Sequence, residues 1–170
     1  MGHNQRSEEQ PQDAVADAAD LGGLAAAVAA HPFLQNLSTE RLDLLSQCAQ
    51  LRNFQPGQLI FKQGDSAHHF YLIVRGVVLL SHAGLTGNVA VQTLTSGDAL
   101  GWSWLFPPFA WHFNAMTLEP SQLIEFDGER VHELCREHPE FGYEFLGRIV
   151  RVVIDRLQNT RHKMFHLTKK

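Results

Sequence analysis

Between Ser96 and Phe113 the chain gathers its groups best suited to binding chemistry: a Gly97-Asp98 turn, the run Ala99-Leu100-Gly101, the imidazole of His112 and six aromatic rings, Trp102, Trp104, Phe106, Phe109, Trp111 and Phe113. A carboxylate such as Asp98 accepts hydrogen bonds from hydroxyls, amides that follow a glycine turn can face an anion, and aromatic rings stack on planar molecules. All three tryptophans lie in this stretch, and no Lys or Arg occurs between Arg75 and Arg130. A pocket built here is aromatic rather than basic. The rings admit three readings: a platform for a planar ligand, side chains that fill the pocket, or exposed anchors at Trp102, Trp104, Phe106 and Phe109 for a partner protein. Pro107-Pro108 stiffens the loop. No nucleophile and base pair, Walker-type loop or paired-carboxylate motif accompanies these residues, which points away from an enzyme.

Chain size and charge narrow the setting. A length of 170 residues suits one domain with a substantial core and a tail. The net charge of -4, with both signs interspersed, gives no electrostatic footprint for DNA, RNA or an anionic membrane surface. Cys48 and Cys135 are far apart in sequence, so they are expected to be buried or half-buried thiols rather than a disulfide framework or metal knuckle. Neither a signal peptide nor an apolar run long enough to span a membrane is present, and a soluble, cytoplasmic protein is expected.

The elements that must position the aromatic stretch follow from periodicity and turn chemistry. Residues 1–20 carry almost no large apolar side chain and are expected to be disordered. Two short helices are expected within 21–50, separated at His31-Pro32, the second capped by Ser38. Across 52–127 the pattern changes to strand and turn: Pro56-Gly57, strand Leu59-Ile60-Phe61, turn Gly64-Asp65, strand Phe70 to Val74, a break at Gly76, then strands at Val77 to Leu80, Val89 to Leu94 and Gln122 to Phe126. Short strands punctuated by glycine predict a small barrel or roll. Helices are expected again over 128–167, the longer starting at Pro139 with Phe145, Ile149, Val152, Val153, Leu157, Thr160, Met164 and Leu167 on one side, near heptad spacing. Such a stripe either covers its own roll or pairs with a second copy, making a homodimer through helix 139–167.

The run Phe54-Gln55-Pro56-Gly57-Gln58-Leu59-Ile60-Phe61-Lys62-Gln63-Gly64-Asp65, followed by Phe70 to Val78, resembles the front half of a cyclic-nucleotide-binding domain of the CRP/FNR type. The entry His31-Pro32-Phe33-Leu34 and the helix segment Arg156-Leu157-Gln158-Asn159-Thr160-Arg161 are similar to the family's N-terminal and dimer-helix segments, so the likeness extends over roughly Gly23 to Leu167. The resemblance implies a mainly β fold with flanking helices: an eight-stranded double-stranded β-helix, or jelly-roll, with a long C-terminal dimerisation helix. It implies a stand-alone regulatory or sensor module. With the sequence ending at Lys170, no helix-turn-helix and no direct DNA binding are expected.

In members that bind cyclic AMP or cyclic GMP, a Gly-Glu loop presents backbone amides to the phosphate, the Glu takes the ribose hydroxyl, and an Arg followed by Ser or Thr clamps the phosphate. By this resemblance Gly97 and Asp98 stand at the Gly-Glu position, and Ala99, Leu100 and Gly101 make the turn. Trp111 stands where the Arg belongs, His112 at the Ser or Thr position, and Phe113 next. Loss of that charge should weaken or abolish cyclic nucleotide binding. His112 either supplies part of the missing charge or bonds to the loop backbone, and Thr160 with Arg161 on the long helix either reaches the ligand or stays exposed. Ten histidines, including His68-His69 and His82, raise a haem or metal sensor as a further alternative. Two cysteines are too few for a four-cysteine iron–sulfur site, and His68-His69 lacks the spacing of a cupin metal site.

Overall fold

The computed structural model describes residues 18–84 and 87–167. The expected disordered stretch 1–20 falls outside the described residues as far as position 17, whereas 18–20 open a helix, α1 (Ala18–Ala30). Among its described side chains Leu24 and Val28, one turn apart, are buried. The helix stops before Pro32, a 3-10 turn follows at Pro32–Leu34, and α2 (Thr39–Ser46) begins behind Ser38, whose Oγ accepts the Arg41 N–H at 3.4 Å.

Eight strands come next: β1 (Ala49–Phe54), β2 (Leu59–Phe61), β3 (His69–Arg75), β4 (Val78–Gly84), β5 (Gly87–Leu94), β6 (Ala99–Leu100), β7 (Asn114–Thr117) and β8 (Ser121–Asp127). They form two four-stranded antiparallel sheets, ordered β1-β8-β3-β6 and β2-β7-β4-β5. Each sheet interleaves strands from both halves of the segment, which is the winding of a jelly-roll. The mainly β fold with flanking helices is therefore the observed one. At the break between β3 and β4, Gly76 has φ +101°, and a Cβ there would lie 2.1 Å from Ser121 Oγ. Only a glycine lets that corner close against β8.

Strand β3 is buried on both faces from Phe70 through Ile73. One face looks into the roll, and the other is covered by the helices. Phe33, Phe70 and Phe145 form an aromatic triangle with centroid separations of 5.3, 5.7 and 5.8 Å, joining the N-terminal turn and the C-terminal helix through β3. Helix α3 (Gly128–Glu137) starts at Asp127, whose Oδ1 accepts the Glu129 and Arg130 N–H groups at 3.0 and 3.1 Å. Pro139 then opens α4 (Pro139–Leu167). The single apolar stripe expected on α4 is in fact two. Phe141, Phe145 and Ile149 are buried against the domain, Leu146, Val150, Val153 and Leu157 are 39 to 59% exposed, and the side chains of Met164 and Leu167 lie outside the described residues. Cys48 and Cys135 are half-buried free thiols, and burial pushes Cys135 up to about 11. Among the described residues no helix is long and apolar enough to cross a membrane.

His31 ties the N-terminal segment to the start of the aromatic stretch. Its Nδ1 accepts the Phe33 N–H at 3.2 Å, so Nε2 carries the proton and donates to the Ile73 carbonyl at 3.1 Å. The same carbonyl accepts the Gly97 N–H at 2.9 Å. Burial lowers the His31 pKa, against the opposing pull of the Ile73 carbonyl and the charge of Asp98. The unfolded chain thus takes up the proton first, near pH 6.5, so the contribution of neutral His31 is present above that value and is lost as pH falls below it toward the folded-state value. His31→Gln should cost about 1–3 kcal/mol at neutral pH. In urea titrations the gap between wild type and variant should narrow as pH falls from about 7.5 to about 5, and a gap independent of pH would contradict the assignment.

Candidate functional site

The turn that opens the stretch is built by its own backbone. Thr95 N–H donates to Asp98 Oδ2 at 2.8 Å, Asp98 N–H returns to the Thr95 carbonyl at 3.0 Å, and Ile73 N–H donates to the Asp98 carbonyl at 2.9 Å. Asp98 therefore caps its own turn. Ala99 and Leu100 are buried as β6 against Leu72 and Tyr71. Gly101, at φ +85°, then swings the chain into the short 3-10 turn Trp102–Leu105.

The loop returns along the 64–67 turn, to which it is sewn by backbone bonds. Ala67 N–H donates to the Phe109 carbonyl at 2.7 Å, Trp111 N–H to the Asp65 carbonyl at 2.9 Å, and Gly64 N–H to the Trp111 carbonyl at 2.9 Å. With both backbone groups fixed, the Trp111 indole lies buried and stacked on Phe61, centroids 3.9 Å apart and planes 13° from parallel. Its ring edge faces Gly101 so closely that a Cβ there would sit 3.1 Å away.

Beside this stack lies a cavity of about 280 Å³. Its walls come from β2, β4, β5, the aromatic stretch and α4. Of the residues expected at the site, Gly101, Trp111, His112, Phe113 and Thr160 line it. Gly97 and Asp98 are held in the preceding turn, Ala99 and Leu100 belong to the buried strand, and Arg161 is exposed on α4 outside the lining. Thr160 Oγ1 donates to the Arg156 carbonyl of its own helix at 2.9 Å, and His112 Nδ1 pairs with Ser103 Oγ at 3.0 Å.

Sequence reasoning missed Arg156, which lines the same cavity. Its Nη2 donates to the Ala99 carbonyl, and its guanidinium lies 4.4 Å above the Trp102 ring centroid. Burial draws its pKa down to about 10, with the charge of Asp98 opposing, so it is cationic at neutral pH. The signal that could have found it was the absence of cations from 76–129, which leaves any counter-charge to come from another element.

The aromatic rings divide among roles. Trp111 narrows the cavity without closing it, and Trp102 is a wall beneath Arg156. Trp104, considered above as a surface anchor, is instead buried, edge to face with His132 at 5.4 Å. Phe106 and Phe109 are exposed, at 56 and 46%. His68 and His69 border a separate cleft with Phe109 and His132, and no cluster of three or more metal-ligating side chains occurs among the described residues.

Comparison with known proteins gives a consistent picture. The family model of the cyclic nucleotide-binding domain matches residues 51–138, just over half of the chain. The cAMP-dependent protein kinase regulatory subunit of Dictyostelium discoideum is 28% identical over 107 residues, which cover 56% of this chain and 33% of that protein. The match thus spans about a third of that relative's length. Among solved structures, the catabolite activator protein of Thermus thermophilus superposes with a TM-score of 0.65 at 25% identity, covering 81% of this chain and 63% of that one. A cyclic nucleotide-binding domain from Methylobacillus flagellatus reaches a TM-score of 0.73 at 15% identity, covering 88% and 84%.

The contact between Gly101 and Trp111 can be tested directly. Gly101→Ala places a side chain at positive φ, 3.1 Å from the indole and 3.3 Å from the His69 carbonyl. The expected cost is about 1–3 kcal/mol in urea denaturation, with a change in tryptophan emission. An unchanged midpoint would show that the stack is not fixed as described.

Proposed function

This chain belongs to the cyclic nucleotide-binding domain family, and on that premise we propose that it is a regulatory, ligand-sensing module that does not use the arginine clamp of nucleotide-binding members. What carries this reading is Trp111, which the sequence resemblance puts at the clamp position, and whose indole is buried and stacked on Phe61 while its backbone bonds to Gly64 and Asp65. A cyclic phosphate brought to this loop would meet an indole edge where it needs a bidentate cation. Losing a buried charged partner costs on the order of 2–5 kcal/mol, or about a thousandfold in affinity near the middle of that range. Cyclic AMP and cyclic GMP are therefore poor ligands in the usual mode.

The outward face of α4 supports pairing with a second copy. Leu146, Val150, Val153 and Leu157 are spaced by four, three and four residues, the repeat of a two-helix seam. A module of this kind acts through the position of that helix rather than by catalysis. A second reading, docking of a partner protein on the aromatic loop, has in its favour the exposed rings of Phe106 and Phe109.

Two measurements test the principal reading. Calorimetric titration should give no saturable heat with cyclic AMP or cyclic GMP, while Trp111→Arg should gain at least about tenfold in affinity, or ~1.4 kcal/mol. Sub-micromolar binding by the unaltered chain would refute it. In sedimentation velocity the chain should run as a dimer and Val150→Glu as a monomer, and a variant that remains dimeric would remove the helix seam.

A further inference from the structure

Among the described residues Arg156 is the one Lys or Arg on the cavity wall, and the carboxylate whose charge acts on it is that of Asp98. It makes no ion pair among the described residues. The carboxylate that influences it, Asp98, already accepts the Thr95 N–H. Its partners are one carbonyl, that of Ala99, and the face of Trp102. A half-buried cation with no ion-paired partner keeps part of its desolvation cost, and an anion that pairs with it recovers that part.

The rest of the cavity limits what such an anion can be. Leu80, Val91, Phe113, Val153 and Leu157 make the wall mainly apolar, with Gln92, Ser103, His112 and Thr160 as its uncharged polar members, and Trp102 and Trp111 add flat aromatic surface. The volume of about 280 Å³ equals roughly nine waters at ~30 Å³ each, enough for one aromatic ring with a short acidic arm. One guanidinium matches a monoanion, and its fork suits a carboxylate.

We propose that this cavity binds a small aromatic carboxylate, with the ring between the apolar walls and the carboxylate paired to Arg156. The inference rests on the reading that the cavity senses ligand without the loop arginine. It places the missing charge on α4, delivered from the C-terminal helix into a loop that has none. Because the ligand competes with the Ala99 carbonyl for the guanidinium, its arrival loosens the bond between α4 and β6.

The test uses benzoate and its uncharged isostere benzamide, titrated against the full chain and followed by tryptophan fluorescence. Benzoate should bind at least about tenfold more tightly than benzamide. Arg156→Met, which keeps most of the stem volume, should erase that preference, and Arg156→Lys should retain part of it, with thermal melts reporting that both variants fold. If neither probe binds, if both bind equally to the unaltered chain, or if Arg156→Met keeps the preference, the proposal is overturned. Should Arg156→Met not fold, loss of the benzoate preference at high salt in the unaltered chain supports the pairing, and a salt-independent preference overturns it. Cyclic AMP is titrated in parallel. Tight binding of cyclic AMP defeats the reading of the site, whereas silence with cyclic AMP and no benzoate preference defeats this inference alone.

Discussion

The fixed position of the Trp111 indole sets the geometry of everything around it. Its N–H and carbonyl are both taken by the 64–67 turn, so the side chain cannot leave by a shift of the loop. It lies on Phe61 instead, and the loop that faces it must carry a glycine at position 101. That arrangement removes space from the roll but leaves a cavity beside the stack, lined by both rings. A flexible side chain at the same position would not partition the interior in this way. The stack is rigid because two flat surfaces at 3.9 Å exclude water and each other's alternative rotamers.

The second determinant is the placement of α4. The Phe33, Phe70 and Phe145 triangle holds its first half, and Arg148 adds a hydrogen bond from Nη1 to the Phe33 carbonyl at 2.7 Å and a bond to Glu144 at 2.8 Å. Glu144 in turn pairs with Arg41 of α2. With two turns of the helix anchored, Arg156 arrives at β6 at a defined height. Its charge is tolerable there because the guanidinium can give one N–H to a backbone carbonyl and lay its face on Trp102. The stretch from Gly76 to Glu129 holds no Lys or Arg, so among the described residues it is Arg156 of α4 that brings a guanidinium to the cavity.

Much of the fold was legible because its turns are local chemistry. Pro56-Gly57, Gly64-Asp65 and Gly76 mark corners that no other residues would serve as well, and the apolar run of β3 reads as a buried strand. Strands β1, β6 and β7 were not legible. Gln50, Arg52 and Asn53 make β1 look like surface loop, β6 has two residues, and β7 is short and set off by its pairing with β4 rather than by its own pattern. The α4 stripe was read as one face because its residues are near heptad spacing, but Phe145 and Ile149 are buried against the domain while Val153 and Leu157, farther along, are partly exposed beside the cavity. At the site, the identity of Trp111 was visible in sequence, whereas Arg156 was not. Its contact lies 57 residues away in the chain, and only the packing of α4 brings the two together.

Val153 and Leu157 give the arrangement its functional consequence. Both line the cavity, and both remain partly exposed on α4. The cavity wall and the free helix surface are therefore made of the same side chains. On the proposed reading, a ligand in the cavity and a partner on the helix would meet the same two side chains. The coupling requires no long path, since one turn of helix separates Val153 from Leu157 and Arg156 lies between them. Under the proposal, a cation within that turn that exchanges a backbone carbonyl for an anion would make the position of the helix depend on what the cavity holds.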